Sequence, residues 1–149
     1  MNTQEILSAM ETIIDESKTA VLATVDQDEK PHIRWVIPGV LKNRPGALYT
    51  VTALKFSKVE HLHSNPHVEM MLQSPALDKV INVRGVMNIL ENPSIRKEVL
   101  EAIGSRLAAF WKANVSEGEL VVLELVIDEA MYYTPMNGTR ETVKFEAKA

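Results

Sequence analysis

The chain has 149 residues, a formal net charge of −4, 46% hydrophobic and 24% charged residues, and no cysteine. One globular domain of ordinary size follows, and the lack of cysteine removes disulfides, thiolate metal centres and thiol redox couples, so any redox chemistry needs a borrowed cofactor. The acidic balance argues against a general nucleic-acid binder, and with neither a secretory signal pattern nor an apolar run near the roughly 20 residues that span a bilayer, a cytoplasmic location is the expectation.

Taken in chain order, Gln4 to Ser17 sets Ile6, Leu7, Met10, Ile13 and Ile14 at helical spacing, and Asn2 with Glu5 three residues on forms a capping box, which predicts an amphipathic lid helix. Thr19 to Val25 reads as a strand, residues 26–30 as a polar turn, and His32 to Leu41 as a second strand bent at Pro38-Gly39, together an antiparallel hairpin. Asn43 to Gly46 is a turn by composition, Ala47 to Thr52 a third strand, and Ser57 to Ser64 a short helix ended by Asn65-Pro66. His67 to Leu72 is the fourth strand, and Lys79 to Leu90 a long fifth one with a bulge expected at Gly85.

Asn92-Pro93-Ser94 opens a helical region whose apolar positions are Ile95, Val99, Leu100, Ile103, Leu107, Phe110 and Trp111, divided at Gly104. Glu119 to Ile127 is the last strand; its run LVVLELV requires cover on both faces, from a barrel interior or from a subunit contact. The residues after Asn137 are expected to form a mobile tail. The pattern is therefore mainly β, six antiparallel strands with inserted helices.

Chemistry concentrates around the short helix. The first turn of a helix carries unpaired N–H groups and partial positive charge, so Thr50, Thr52, Ser57 and Lys58 around that start form a candidate phosphate seat, with Arg34 of the second strand completing it. Each has an ordinary alternative. Arg34 is one charge in an apolar run, either a rim arginine paired with a carboxylate or a bidentate anion ligand. Lys58 is disfavoured by the helix dipole unless an anion intervenes, yet it also reads as a solvated lysine, and Lys55 suits the same role. Tyr49 is either a site wall or a cross-strand core aromatic, and Trp111 by its spacing from Leu107 is ordinary helix packing. His61 and His63 stand two apart on a helix with no acidic cluster, so no metal site is expected. Met70 and Met71 read as packing.

The ordered segments PHIRWVIPG, LYTVT, SKV and NPHVEMML resemble the FMN-binding split-barrel family, which includes pyridoxamine 5′-phosphate oxidases and the general stress protein 26 group; the likeness is good over roughly residues 15 to 91. The resemblance implies a six-stranded antiparallel split β-barrel, FMN as cofactor, and a homodimer holding it in a groove between subunits. It further implies that the backbone of Trp35, Val36 and Ile37 meets the pyrimidine edge of the flavin, that Tyr49 and Thr50 line its ring and ribityl chain, and that Arg34 and Lys58 hold the phosphate. Trp111 would cover the neighbouring subunit's flavin, and Asn82 and Arg84 would stand at the rim. The family's Ser-Arg-Lys turn is here Phe56-Ser57-Lys58, lacking one phosphate-binding arginine. The expected function is flavin-dependent redox chemistry on a small molecule; alternatives are a non-catalytic flavin-binding stress protein, or a split barrel for haem or a deazaflavin.

Overall fold

The computed structural model describes residues 1–53, 57–115 and 119–146, with the backbone alone at positions 57, 58 and 106. Its elements are α1 (Thr3–Ser17), β1 (Ala20–Val25), β2 (Pro31–Val36), β3 (Ala47–Ala53), α2 (Ser57–Ser64), β4 (His67–Gln73), β5 (Val80–Leu90), α3 (Pro93–Ala102), α4 (Ser105–Asn114), β6 (Leu120–Thr134) and β7 (Thr139–Lys144). The expected capping box is present: Glu5 N–H donates to Asn2 Oδ1 at 2.8 Å and Asn2 N–H to Glu5 Oε1 at 3.3 Å. Ile6, Met10 and Ile13, spaced along one stripe, bury that face of α1 against the sheet.

The strands form one antiparallel sheet in the order β2-β1-β4-β5-β6-β3, with β7 added to β6. Its two edges, β2 and β3, meet at one point past the end of β2. There Gly39 N–H donates to Tyr49 O at 2.7 Å and Tyr49 N–H to Gly39 O at 2.9 Å. The sheet curls around a core of Leu22, Met70, Leu72, Ile81, Val83, Leu123 and Leu125. A second core, on the outer face of β3 and β6, packs Tyr49, Val51, Leu120 and Val122 against Val99, Leu100 and Ile103 of the α3 region. Both faces of the apolar LVVL stretch are thus covered within the chain, barrel on one side and helices on the other.

Strand β6 runs on to Thr134, beyond the expected end at Ile127, and this gives residues 139–144 a partner. Where a mobile tail was expected from Asn137 onward, Gly138 turns the chain at φ 69° and β7 pairs from Thr139 to Lys144, raising the strand count from six to seven. The strand escapes notice in the sequence because TRETVK turns only Val143 inward. Gly104, at φ 102°, separates α3 from α4 as its position suggests. Among the described residues no helix is long and apolar enough to cross a membrane.

The expected bulge falls between Arg84 and Gly85, where the register of β5 against β6 shifts. A Cβ at position 85 would lie 1.9 Å from the carbonyl oxygen of Val126, so only glycine lets the strands approach. Gly85→Ala is expected to lower stability by about 3 kcal/mol or more, measured by urea unfolding, because the obstructing atom is backbone.

Candidate functional site

Alternation along the β1–β2 hairpin decides which side chains enter the barrel. Leu22 pairs with Arg34 and Thr24 with His32, so Leu22, Thr24, Arg34 and Val36 share the inward face while Ile33 and Trp35 turn outward. The outward pair is left 73% and 69% exposed. Thr24 and Arg34 are diagonal neighbours, and Arg34 Nη2 donates to Thr24 Oγ1 at 2.9 Å.

Helix α2 lies over this end of the barrel, seated by Val59 and Leu62, and contributes His61. His61 Nδ1 is 3.2 Å from Thr24 Oγ1, and its ring lies against His32 with centroids 4.4 Å apart. His32 Nε2 is 2.8 Å from Asp26 Oδ2, while Asp26 Oδ1 accepts from the backbone N–H of Asp28 and Lys30. The His32 hydrogen bond, aided by the turn amides, draws the Asp26 carboxyl down from 3.8 to about 2.

Arg34 Nη1 is buried with no hydrogen-bond partner among the described residues, and burial lowers the guanidinium below its ordinary pKa. No described carboxylate pairs with Arg34. Thr50 and Thr52 share the inward face of β3 with Leu48; both are buried, and Thr52 Oγ1 likewise has no partner among the described residues. Buried polar groups are nearly always paired, so Arg34 Nη1 and Thr52 Oγ1, unpaired among the described residues, fit an anionic ligand. Lys55 and the side chains of Ser57 and Lys58 lie outside the described residues.

Tyr49, adjacent to Thr50, faces outward into the second core, and its hydroxyl donates to Glu124 Oε2 at 2.7 Å. Glu124 also accepts from Asn88 Nδ2 at 3.2 Å and pairs with Arg44 Nη1 at 3.4 Å. Burial, reinforced by the carboxylate, pushes the Tyr49 phenol up to about 12. This cluster floors a cleft of about 840 Å³ bounded by Leu7, Asn43, Lys144 and Phe145. Val36 is core, and Ile37 and Trp111 pack against the second core alongside Tyr49. Asn82 sits on the face of β5 opposite Ile81 and Val83, and Arg84 pairs on the surface with Glu69 and Glu129.

Thr24, His61 and Glu124 are the polar residues that sequence reasoning missed. Thr24 had a signal: in strand phase it shares the inward face with Leu22. So did Glu124, a lone charge within LVVLELV.

A curled antiparallel sheet whose edge strands meet at Gly39 and Tyr49, with helices packed outside it, has the architecture of the split-barrel class. A family model described as pyridoxamine 5′-phosphate oxidase matches residues 6–133, and the chain belongs to that family. A curated pyridoxine/pyridoxamine 5′-phosphate oxidase from Pseudomonas entomophila (strain L48) is 30% identical over 96 residues, 64% of this chain. The chain spans 44% of that relative's length. Among solved structures, general stress protein 26 from Bacillus anthracis str. Sterne superposes with TM-score 0.73 at 22% identity, covering 95% of this chain and 99% of its own. A pyridoxamine 5′-phosphate oxidase-related, FMN-binding protein from Nostoc punctiforme PCC 73102 gives 0.65 at 12%, covering 94% and 96%. A haem-binding protein from Mycobacterium smegmatis gives 0.73 at 17%, covering 93% and 57%. At these identities the structures establish the shared fold alone.

Two outcomes test this geometry. Tyr49→Phe removes a donor from a carboxylate only 13% exposed and is expected to cost about 1–3 kcal/mol in urea unfolding. The Asp26 carboxyl is depressed on folding, so its contribution to stability is present above pH 3.8 and is lost as pH falls through about 2. Thermal melts of Asp26→Asn should therefore fall below wild type above pH 3.8 and converge with it toward pH 2.

Proposed function

We propose that this protein is an FMN-binding flavoprotein acting as an oxidoreductase on a small molecule, with two copies sharing the cofactor groove. The observation that carries this reading is the buried Nη1 of Arg34, without a hydrogen-bond partner among the described residues, on a guanidinium that Thr24 links to His61 of α2. A terminal phosphate suits it, because charge-assisted hydrogen bonds to a guanidinium are among the strongest available. The Thr52 hydroxyl, without a partner among the described residues, is a second donor, and Ser57 and Lys58, where α2 begins, complete the proposed set.

When bound, FMN supplies hydride or electron transfer; the protein's part is to hold, orient and shield it. Among the described strands β2 pairs only with β1, so alternate backbone groups along Trp35, Val36 and Ile37 are available to a flavin edge. Exposed Ile33 and Trp35 on the outer side of that strand suit a second copy, whose Trp111 would cover the ring. The family and the FMN-binding relative from Nostoc support flavin. The Mycobacterium haem-binding protein supports a second reading in which the same barrel takes haem. A cytoplasmic setting accords with the cysteine-free sequence.

The visible spectrum of purified protein and the mass of the molecule released by heat separate these readings: flavin bands and the mass of FMN support the first, a Soret band the second. Arg34→Ala is expected to leave the fold intact and weaken FMN by about 1.5–3 kcal/mol, roughly 10- to 150-fold in Kd. An unchanged titration curve for that variant would remove the phosphate assignment.

A further inference from the structure

Arg34 is held in place by a group that carries no charge. Its Nη2 donates to Thr24 Oγ1 at 2.9 Å, and a guanidinium has no acceptor, so the hydroxyl commits a lone pair to it. Thr24 is fully buried, and its own proton needs an acceptor. Among the described residues the atom in reach is His61 Nδ1, 3.2 Å away. This assigns His61 as the neutral tautomer with its proton on Nε2 and with Nδ1 accepting.

The opposite arrangement is costly on two counts. With a proton on Nδ1, both Arg34 and His61 would donate to Thr24 Oγ1, leaving the hydroxyl proton buried without an acceptor. If that proton made the ring cationic, a second positive charge would stand one hydroxyl away from the guanidinium. The ring plane of His61 is braced from its other side by His32, tilted 33° to it, and His32 is anchored by Asp26.

We infer that His61 is a positioning residue for an anion site: by accepting the Thr24 proton it turns the hydroxyl lone pair toward Arg34 Nη2 and leaves Nη1 aimed at a phosphate group. This rests on the reading of Arg34 as the phosphate ligand. The hydrogen bonds are donated from Arg34 to Thr24 and from Thr24 to His61 without a carboxylate, so the charge of the guanidinium remains for the ligand.

The test titrates FMN and riboflavin, which shares ring and ribityl chain but lacks the phosphate, against wild type, His61→Leu, His61→Asn, Thr24→Val and the Thr24→Val/His61→Leu double variant. His61→Leu and Thr24→Val are each expected to weaken FMN about tenfold while riboflavin stays within about twofold. His61→Asn, whose Oδ1 offers an acceptor near the position of Nδ1, should recover most of the loss, and the double variant should be no weaker than the worse single one. Equal losses for FMN and riboflavin, no recovery in His61→Asn, or wild-type affinity in His61→Leu would each overturn the positioning role. Arg34→Ala separates the two levels: weak binding there with normal binding in His61→Leu sinks only His61, whereas normal binding in Arg34→Ala sinks the phosphate reading beneath it. Imidazole ¹⁵N shifts of the unsubstituted protein give a check independent of any variant's folding. A pyridine-type Nδ1 on His61 is expected, and a pyrrole-type Nδ1 overturns the inference.

Discussion

Strand β3 and the Leu120–Leu125 stretch of β6 are paired and covered on both faces, and most of the architecture follows from that condition. Leu48, Leu123 and Leu125 fill the barrel from one face, while Tyr49, Val51 and Val122 meet the helices from the other. Such strands offer a polar side chain no water, so each must find its partner within the protein or from a ligand. Glu124 resolves the demand with Tyr49, Asn88 and Arg44. Thr52, on the opposite face, does not resolve it among the described residues. On its other edge β6 dictates Gly85, since it approaches β5 so closely at Val126 that no side chain fits between them.

The Thr24–Arg34 cluster stands at the opposite end of the sheet order, on β1 and β2. Hairpin register brings Thr24 and Arg34 together on the inward face, and α2 adds His61 from above while seating Leu62 in the core. Burial of Leu62 and use of His61 are thus one structural event: the helix cannot tilt to bury the leucine differently without moving the imidazole. A short helix of marginal intrinsic stability is held by its tertiary contacts, and those contacts deliver the functional side chain.

Much of this was legible in the sequence, for identifiable reasons. Alternation and turn chemistry located the first five strands to within a residue or two except at the far end of β2, where Pro38-Gly39 lets the chain leave β1 and cross to β3. Gly85 announced its bulge and Gly104 its helix break because each lacks an ordinary reason to interrupt an apolar pattern. The length of β6 and the existence of β7 were hidden, since Asp128 to Thr134 and TRETVK carry too little inward apolar content to read as strands without one another. Arg34 was recognisable as one charge in an apolar run. Its companions were not, because the contact among Thr24, His61 and Arg34 joins residues 10 and 37 positions apart, and no local pattern encodes that distance.

Arg34 differs from Arg44 and Arg84 in the nature of its partner. Arg44 faces Glu124, and Arg84 faces both Glu69 and Glu129; in each case the charge is already answered by a carboxylate on the protein. A carboxylate at position 24 would hold the Arg34 guanidinium in the same place but would cancel most of its field, and an arriving phosphate would then have to compete with it. A hydroxyl supplies the geometry without the cancellation. Its single proton must then be directed away from the arginine, and a neutral imidazole is well suited to receive it, because it accepts a hydrogen bond without bringing charge. The braced His61–Thr24 pair accordingly solves two requirements that conflict elsewhere in the molecule, fixing a half-buried cation while leaving its charge unspent.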